Sequence, residues 1–142
     1  MKKFLIAVQF LTIFPITFKQ LAPEKELAKS MLFYPLVGAV IGIFLVGLHT
    51  ILSLFLAPDV VTLGVLLGWV IITGGMHLDG LADALDGFYA GRTPEKVLEV
   101  MKDSRVGAIA SIGLICLLLS KFVLLNNLSL ELFNATLIVT IA

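Results

Sequence analysis

The sequence predicts an all-α, polytopic membrane protein with short interfacial helices and one polar loop facing the cytoplasm. Three observations carry that prediction. Apolar residues make up 59% of the 142 positions and charged residues 14%, with twelve glycines besides. Soluble domains hold about 45–50% apolar residues including glycine, and about 25% charged. A chain this short cannot bury such an excess inside itself, because too much of its volume lies near its surface. The excess needs lipid as its solvent. Secondly, uncharged runs of membrane-spanning length alternate with short polar segments. Thirdly, ten basic residues balance ten acidic ones, which excludes the basic field of a nucleic-acid-binding domain.

The elements follow in order. Residues 4–18 are uncharged but short, and they include Gln9, Thr12 and Pro15. Lys2 and Lys3 ahead of them would suit a signal peptide, but no small-x-small cleavage site follows and a proline interrupts the apolar stretch. An interfacial or re-entrant segment fits better. No charge intervenes between Lys29 and Asp59, so a first span is expected at 31–57. As a helix it measures roughly 40 Å against a hydrocarbon core of roughly 30 Å, which calls for tilt or interfacial ends. A second span at 60–78 would reach about 28 Å. The third is expected at 106–125, with Lys121 placed to snorkel toward the headgroups. Asn126-Asn127 reads as a loop, and 132–142 as the start of another helix that stops about halfway across a bilayer. The chain is therefore expected to be part of a longer protein, its residues 1–142 forming a single membrane-embedded domain.

Gly38-x-x-x-Gly42 and Gly64-x-x-x-Gly68 signal close helix packing. The lone Cys116 lies in an apolar run and reads as a small hydrophobe, and His49 as a hydrogen-bonder between helices. Orientation comes from the basic residues. Segment 19–29 carries three lysines, the Pro58-Asp59 turn none, and 79–105 four Lys/Arg. The positive-inside rule places 79–105 in the cytoplasm.

That island, 79–105, holds ten of the twenty charges. On a helix, Asp83 lies about 40° from Asp79 and Asp86 about 20° to the other side, so the three carboxylates share a stripe of about 60°. Leu78, Leu81 and Leu85 fall on other faces and can pack. A solvated acidic face is the plain alternative, and it is a poor one. Like charges one turn apart destabilise a helix by about 0.2–0.5 kcal/mol per pair, no Lys or Arg stands between Asp59 and Arg92, and Asp and Gly are weak helix formers. A hard cation with oxygen ligands would hold such a helix together. Mg²⁺ characteristically takes one or two carboxylates plus substrate phosphates.

Further on, Thr93-Pro94-Glu95 reads as a helix start, Thr as the N-cap and Pro at the first helical position. The helix from Pro94 to about Ser104 has Val97, Leu98 and Met101 on an apolar face and would lie along the membrane surface. It ends in Lys102-Asp103-Ser104-Arg105. Lys102 and Arg105 suit a phosphate and equally suit anchoring the next span, whereas His77 reads first as an interfacial histidine. The residues alone thus describe a cytoplasmic site at the lipid boundary with three carboxylates, Mg²⁺ and basic groups, as phosphoryl transfer requires.

Gly74-Gly75-Met76-His77-Leu78-Asp79-Gly80-Leu81-Ala82-Asp83, then Asp86-Gly87, then Met101-Lys102-Asp103-Ser104-Arg105-Val106-Gly107, resembles the cobalamin synthase (adenosylcobinamide-GDP ribazoletransferase) family. Gln9-Phe10-Leu11-Thr12-Ile13-Phe14-Pro15 and Tyr34-Pro35-Leu36-Val37-Gly38 are similar to that family's opening segments. The resemblance runs along essentially the whole chain. It implies a multi-pass inner-membrane, Mg²⁺-dependent transferase that joins adenosylcobinamide-GDP to α-ribazole or its 5′-phosphate and releases GMP. Family members are longer, which agrees with a partial chain. On this reading Asp79, Asp83 and Asp86 hold Mg²⁺, and one of them takes the proton of the attacking hydroxyl. Lys102 and Arg105, with Arg92, neutralise phosphates; Asp103 and Ser104 orient them; His77 lies at the substrate. Substrates and lipid are the expected partners, nucleic acid is not, and self-association is left open.

Two other readings compete with this one. Asp79-Gly80 followed by Ala82-Asp83 also resembles CDP-alcohol phosphotransferases, but that pattern wants an arginine where Asp83 stands and a longer spacing before its last aspartates. A Mg²⁺ transporter or a non-enzymatic ion-binding subunit would also explain intramembrane carboxylates, but a transporter should carry them near mid-membrane on discontinuous helices. Here they sit at the end of a span, beside a basic helix.

Overall fold

A computed structural model describes residues 2–16, 23–90, 93–103 and 105–128. Every regular element among them is helical: α1 (Lys2–Leu11), α2 (Glu24–Ser30), a 3₁₀ turn (Met31–Phe33), α3 (Tyr34–Leu52), α4 (Pro58–Ile72), α5 (Met76–Ala90), α6 (Pro94–Val100) and α7 (Ala108–Asn126). Glu24–Leu52 and Ala108–Asn126 are long and apolar enough to cross a membrane, and Pro58–Ile72 with Met76–Ala90 makes a third if the two count as one broken span. The expected start of a helix at 132–142 lies outside the described residues. By packing, the chain forms two compact units, one of residues 1–74 and 125–142 and the other of 75–124.

In the first unit the core is the seam between α3 and α4. Val37, Gly38, Ile41, Gly42 and Leu45 are buried on one stripe of α3, and Val61, Thr62, Val65 and Leu66 on α4. The second small-xxx-small motif does what its spacing predicts. A Cβ on Gly64 would lie 2.6 Å from Leu52 Cδ1, and one on Gly68 would lie 2.5 Å from Leu48 Cδ2. The two glycines are the holes into which α3 leucines fit. Away from the seam the pattern is inverted relative to a soluble protein: Val40, Ile43, Phe44, Leu63, Leu67 and Ile71 are all exposed. Lipid is the solvent that makes such a surface stable.

Helix α1 buries Ile6, Ala7 and Leu11 in the same unit. Phe10 stacks on Tyr34 at 5.9 Å, and Phe4 meets Phe33 edge-on at 6.3 Å. After α1, Thr12 Oγ1 donates to the Val8 carbonyl at 2.7 Å, and the Ile13 N–H donates to the Ile72 carbonyl at 2.9 Å. Those bonds satisfy backbone that has left the helix.

Two expected boundaries shift. The first span was expected at 31–57; helix instead runs from Glu24 to Leu52. After Leu52 the residues Ser53 to Leu56 turn with bonds back to residues 49–52, and Ala57, ahead of Pro58, is extended (ψ 151°) as the N-cap of α4. The second was expected to be continuous from 60 to 78, but α4 ends at Ile72. Gly74 and Gly75 have φ of +61° and +68°, left-handed values that terminate a right-handed helix. Where a third span is expected at 106–125, helix α7 runs over Ala108–Asn126.

Candidate functional site

The second unit carries the polar island. Helix α5 begins at Met76 and holds all three aspartates, so the helical stripe read from the sequence forms. Ala82 and Gly87 are its buried residues. Small side chains there let the next segment approach closely. Thr93 caps α6 as expected, its Oγ1 accepting from the Lys96 N–H at 3.4 Å, with Pro94 in the first turn. The helix is shorter than expected and ends at Val100, because Met101 to Asp103 form a turn bonded back to residues 97–100.

Asp79, Asp83 and Asp86 of α5 face Lys102, Asp103 and Arg105 across one cavity of about 230 Å³. Ala82, Met101 and Val106 complete its wall. At about 30 Å³ per water, the space would hold roughly seven waters, enough for a hydrated cation and phosphate oxygens. Six of the nine expected site residues are thereby brought together. His77 is exposed in the first turn of α5 and does not line this cavity. Arg92 and Ser104 lie outside the described residues.

The carboxylates are not equivalent. Asp103 grips Arg105: its Oδ1 accepts from the Arg105 backbone N–H at 3.1 Å and from Nε at 3.0 Å, and its Oδ2 accepts from Nη2 at 2.6 Å. This hydrogen-bonded pairing holds the Asp103 carboxyl at about 2, well below the usual carboxylate range, and pushes the Arg105 guanidinium up. The Arg105 side chain is 87% exposed, so its remaining N–H groups stay open to a ligand. Asp86 is committed elsewhere. Its two oxygens accept from the Gly107 N–H and, at 3.0 Å, from the Ala110 N–H, at the start of α7. Asp79 and Asp83 make no ion pair or side-chain hydrogen bond among the described residues.

Among the described residues, no three His, Cys, Asp or Glu side chains cluster as a ready-made metal cage. The donor set that remains, two carboxylates unengaged among the described residues beside two cationic side chains, suits a cation that takes part of its shell from water and from phosphate. Mg²⁺ binds in that manner. Sequence reasoning missed Gly107 and Ala110 as the partners of Asp86. The only signal was Gly107 itself, directly after the basic cluster.

The family model for cobalamin-5-phosphate synthase matches residues 3–142. The chain belongs to that family. Among its relatives, the adenosylcobinamide-GDP ribazoletransferase of Acetivibrio thermocellus is 39% identical over 131 residues, which is 92% of this chain and 53% of the relative. The enzyme of that name from Pseudomonas syringae pv. syringae is 47% identical over 124 residues, 86% of this chain and 50% of the relative. That from Geotalea daltonii is 43% identical over 122 residues, 86% and 49%. The chain thus spans about half the length of the curated relatives it matches. No solved structure matches it.

Proposed function

We propose that this chain supplies the phosphate-and-metal site of an adenosylcobinamide-GDP ribazoletransferase. The reaction joins adenosylcobinamide-GDP to α-ribazole or its 5′-phosphate, giving adenosylcobalamin or its phosphate. An O–P bond forms from the ribazole hydroxyl to the corrinoid-side phosphorus, the diphosphate bridge breaks, and GMP leaves. The single observation that carries this reading is the cavity in which Asp79 and Asp83 face Lys102 and Arg105. Such a lining suits a diphosphate together with a cation, and the family's relatives are named for a GDP-activated substrate.

Asp79 and Asp83 would hold Mg²⁺, which when bound neutralises diphosphate charge. The Lys102 ammonium meets phosphate oxygens as a point charge. Arg105, aligned by Asp103 through Nε and one face of its fork, presents its other N–H groups to the departing GMP. A proton from the attacking hydroxyl goes to whichever oxygen of Asp79 or Asp83 is turned toward it. The positive-inside rule orients this site to the cytoplasm, where a nucleotide-activated substrate is available. The membrane in view is the cell's inner membrane.

The test uses full-length protein in nanodiscs. Mg²⁺ and GDP added together should slow amide hydrogen exchange across residues 79–105, and either alone should do so much less. Asp83→Ala should lower turnover by about 10²-fold or more, the scale on which removing one preorganised charge-stabilising group acts. Near-normal turnover by Asp83→Ala would sink the assignment.

A further inference from the structure

We propose that Asp86 is a positioning residue and not a ligand of the cation: its carboxylate caps α7 from another helix and thereby fixes the basic cluster opposite Asp79 and Asp83. The inference rests on the function proposed above and separates one carboxylate of the stripe from the other two.

The N-cap position of α7 carries no side chain that could cap it. Ala108 is its first residue; Gly107, whose carbonyl accepts from the Ser111 N–H at 3.0 Å, stands at the N-cap, and glycine has no side chain to accept the orphan N–H groups of the first turn. In a capping box, an N-cap hydroxyl accepts the N–H at the third helical position while a side chain there accepts the N-cap's own N–H. Here one carboxylate from α5 does both. Asp86 accepts from Gly107, the N-cap, and from Ala110, the third helical residue. Its negative charge also suits the positive end of the α7 dipole. A cation on the same oxygens would face that positive end and compete with two N–H donors for the carboxylate's lone pairs.

The glycine is part of the device. A Cβ at residue 107 would lie 2.5 Å from Asp86 Oδ1 and 2.7 Å from Oδ2, so the carboxylate occupies the space a side chain would need. The neighbours of Asp86 work the same way. The Leu85 side chain fills the space beside Gly113, and Gly87 receives Met101, whose Cγ would lie 2.6 Å from a Cβ there. Residues 85, 86 and 87 thus hold α7, its first turn and the end of α6 in turn. Lys102 and Arg105 lie between the gripped Met101 and the gripped Gly107, so the cap sets where their charges stand.

The experiment compares Asp86→Ala, Asp86→Asn and Asp79→Ala in the full-length protein in nanodiscs, reading three quantities. Amide exchange at 107–110 in the metal-free protein should rise about tenfold in Asp86→Ala, rise less in Asp86→Asn, which keeps one acceptor oxygen, and stay unchanged in Asp79→Ala. Mn²⁺ affinity in the presence of GDP, read by electron paramagnetic resonance, should change less than about threefold in both Asp86 variants and fall more than about tenfold in Asp79→Ala. Turnover per folded enzyme should fall in Asp86→Ala through kcat with KM little changed, and Asp86→Asn should restore most of it. A tenfold loss of Mn²⁺ affinity in Asp86→Asn, unchanged exchange at 107–110, or a normal kcat per folded Asp86→Ala enzyme would each overturn the proposal. If Asp86→Ala fails to fold, the Asp86→Asn exchange and affinity readings decide alone. Wild-type protein that binds no Mn²⁺ with GDP counts against the proposed function instead, and the exchange reading then still decides the cap.

Discussion

Leu85 and Gly113 interlock: the leucine's Cδ1 stands where a Cβ on residue 113 would have to be. Gly113 is the one glycine of α7, and it is the notch that admits α5. Gly113→Ala should destabilise the protein by about 1–3 kcal/mol, the usual cost of overpacking. Combining it with Leu85→Ala should give back part of that loss, because the added methyl then occupies vacated space. A double-mutant cycle on thermal unfolding in detergent checks this: additive losses would mean the two residues do not touch.

Gly74 and Gly75 share left-handed backbone but not surroundings. A Cβ on Gly74 would lie 2.9 Å from Ile13 Cγ2, while one on Gly75 meets nothing within 4 Å. Asparagine tolerates left-handed φ better than other non-glycine residues. Gly75→Asn should therefore be nearly neutral, and Gly74→Asn should lower stability by about 1–3 kcal/mol. Equal effects in unfolding measurements would show that conformation alone, without the Ile13 contact, decides both positions.

These two pairs show what was legible in the sequence and what was not. Hydropathy located the apolar stretches, and the 3.6-residue period placed Asp79, Asp83 and Asp86 on one face, because both depend only on neighbours along the chain. The Gly64-x-x-x-Gly68 notch was legible for the same reason. The break after Ile72 was not, since Thr73, Gly74 and Gly75 sit inside an otherwise apolar run and hydropathy carries no information about φ. Nor could the period distinguish Asp86 from its two companions. A helical angle says which way a carboxylate points, whereas its partner here is a backbone N–H 21 residues further on. The Thr93 cap was readable from three consecutive residues; the cap on α7, supplied from α5, was not.

Asn126 ties the end of α7 to α4. Its Oδ1 accepts from Thr62 Oγ1 at 3.0 Å, and its Nδ2 donates to Asp59 Oδ1 at 2.9 Å. Thr62 is buried, so removing its acceptor leaves a hydroxyl unsatisfied. Asn126→Ala should cost about 1–3 kcal/mol on that account, and Asp59→Ala distinctly less, because its bond is exposed to competing water. Thr62→Val in the Asn126→Ala background should recover stability, since the orphaned hydroxyl is gone. Unfolding of the three variants in one detergent would check the order; a larger loss from Asp59→Ala than from Asn126→Ala would contradict it.

The pairing of Asp103 with Arg105 makes a pH prediction whose sign is fixed. The carboxyl titrates at about 2 in the folded protein against an ordinary 3.8. A lowered folded value means the pairing's contribution is fully present above about pH 4 and is lost as pH falls through about 2. Between pH 5 and 9 the pair keeps its charges, so any change in turnover across that range originates elsewhere in the site. The Asp103 carboxyl carbon, followed by nuclear magnetic resonance in labelled protein, should show a midpoint near 2. In Arg105→Ala the midpoint should return toward 3.8. Arg105→Lys should fall between them, because an ammonium keeps the charge but cannot match the carboxylate with two parallel N–H groups. The same variant separates alignment from charge in catalysis. If Asp103 acts by aiming a planar fork at phosphate, Arg105→Lys should lose about tenfold or more in turnover. Full activity in Arg105→Lys would mean that residue 105 supplies only charge, and the grip of Asp103 would then have no part in the chemistry.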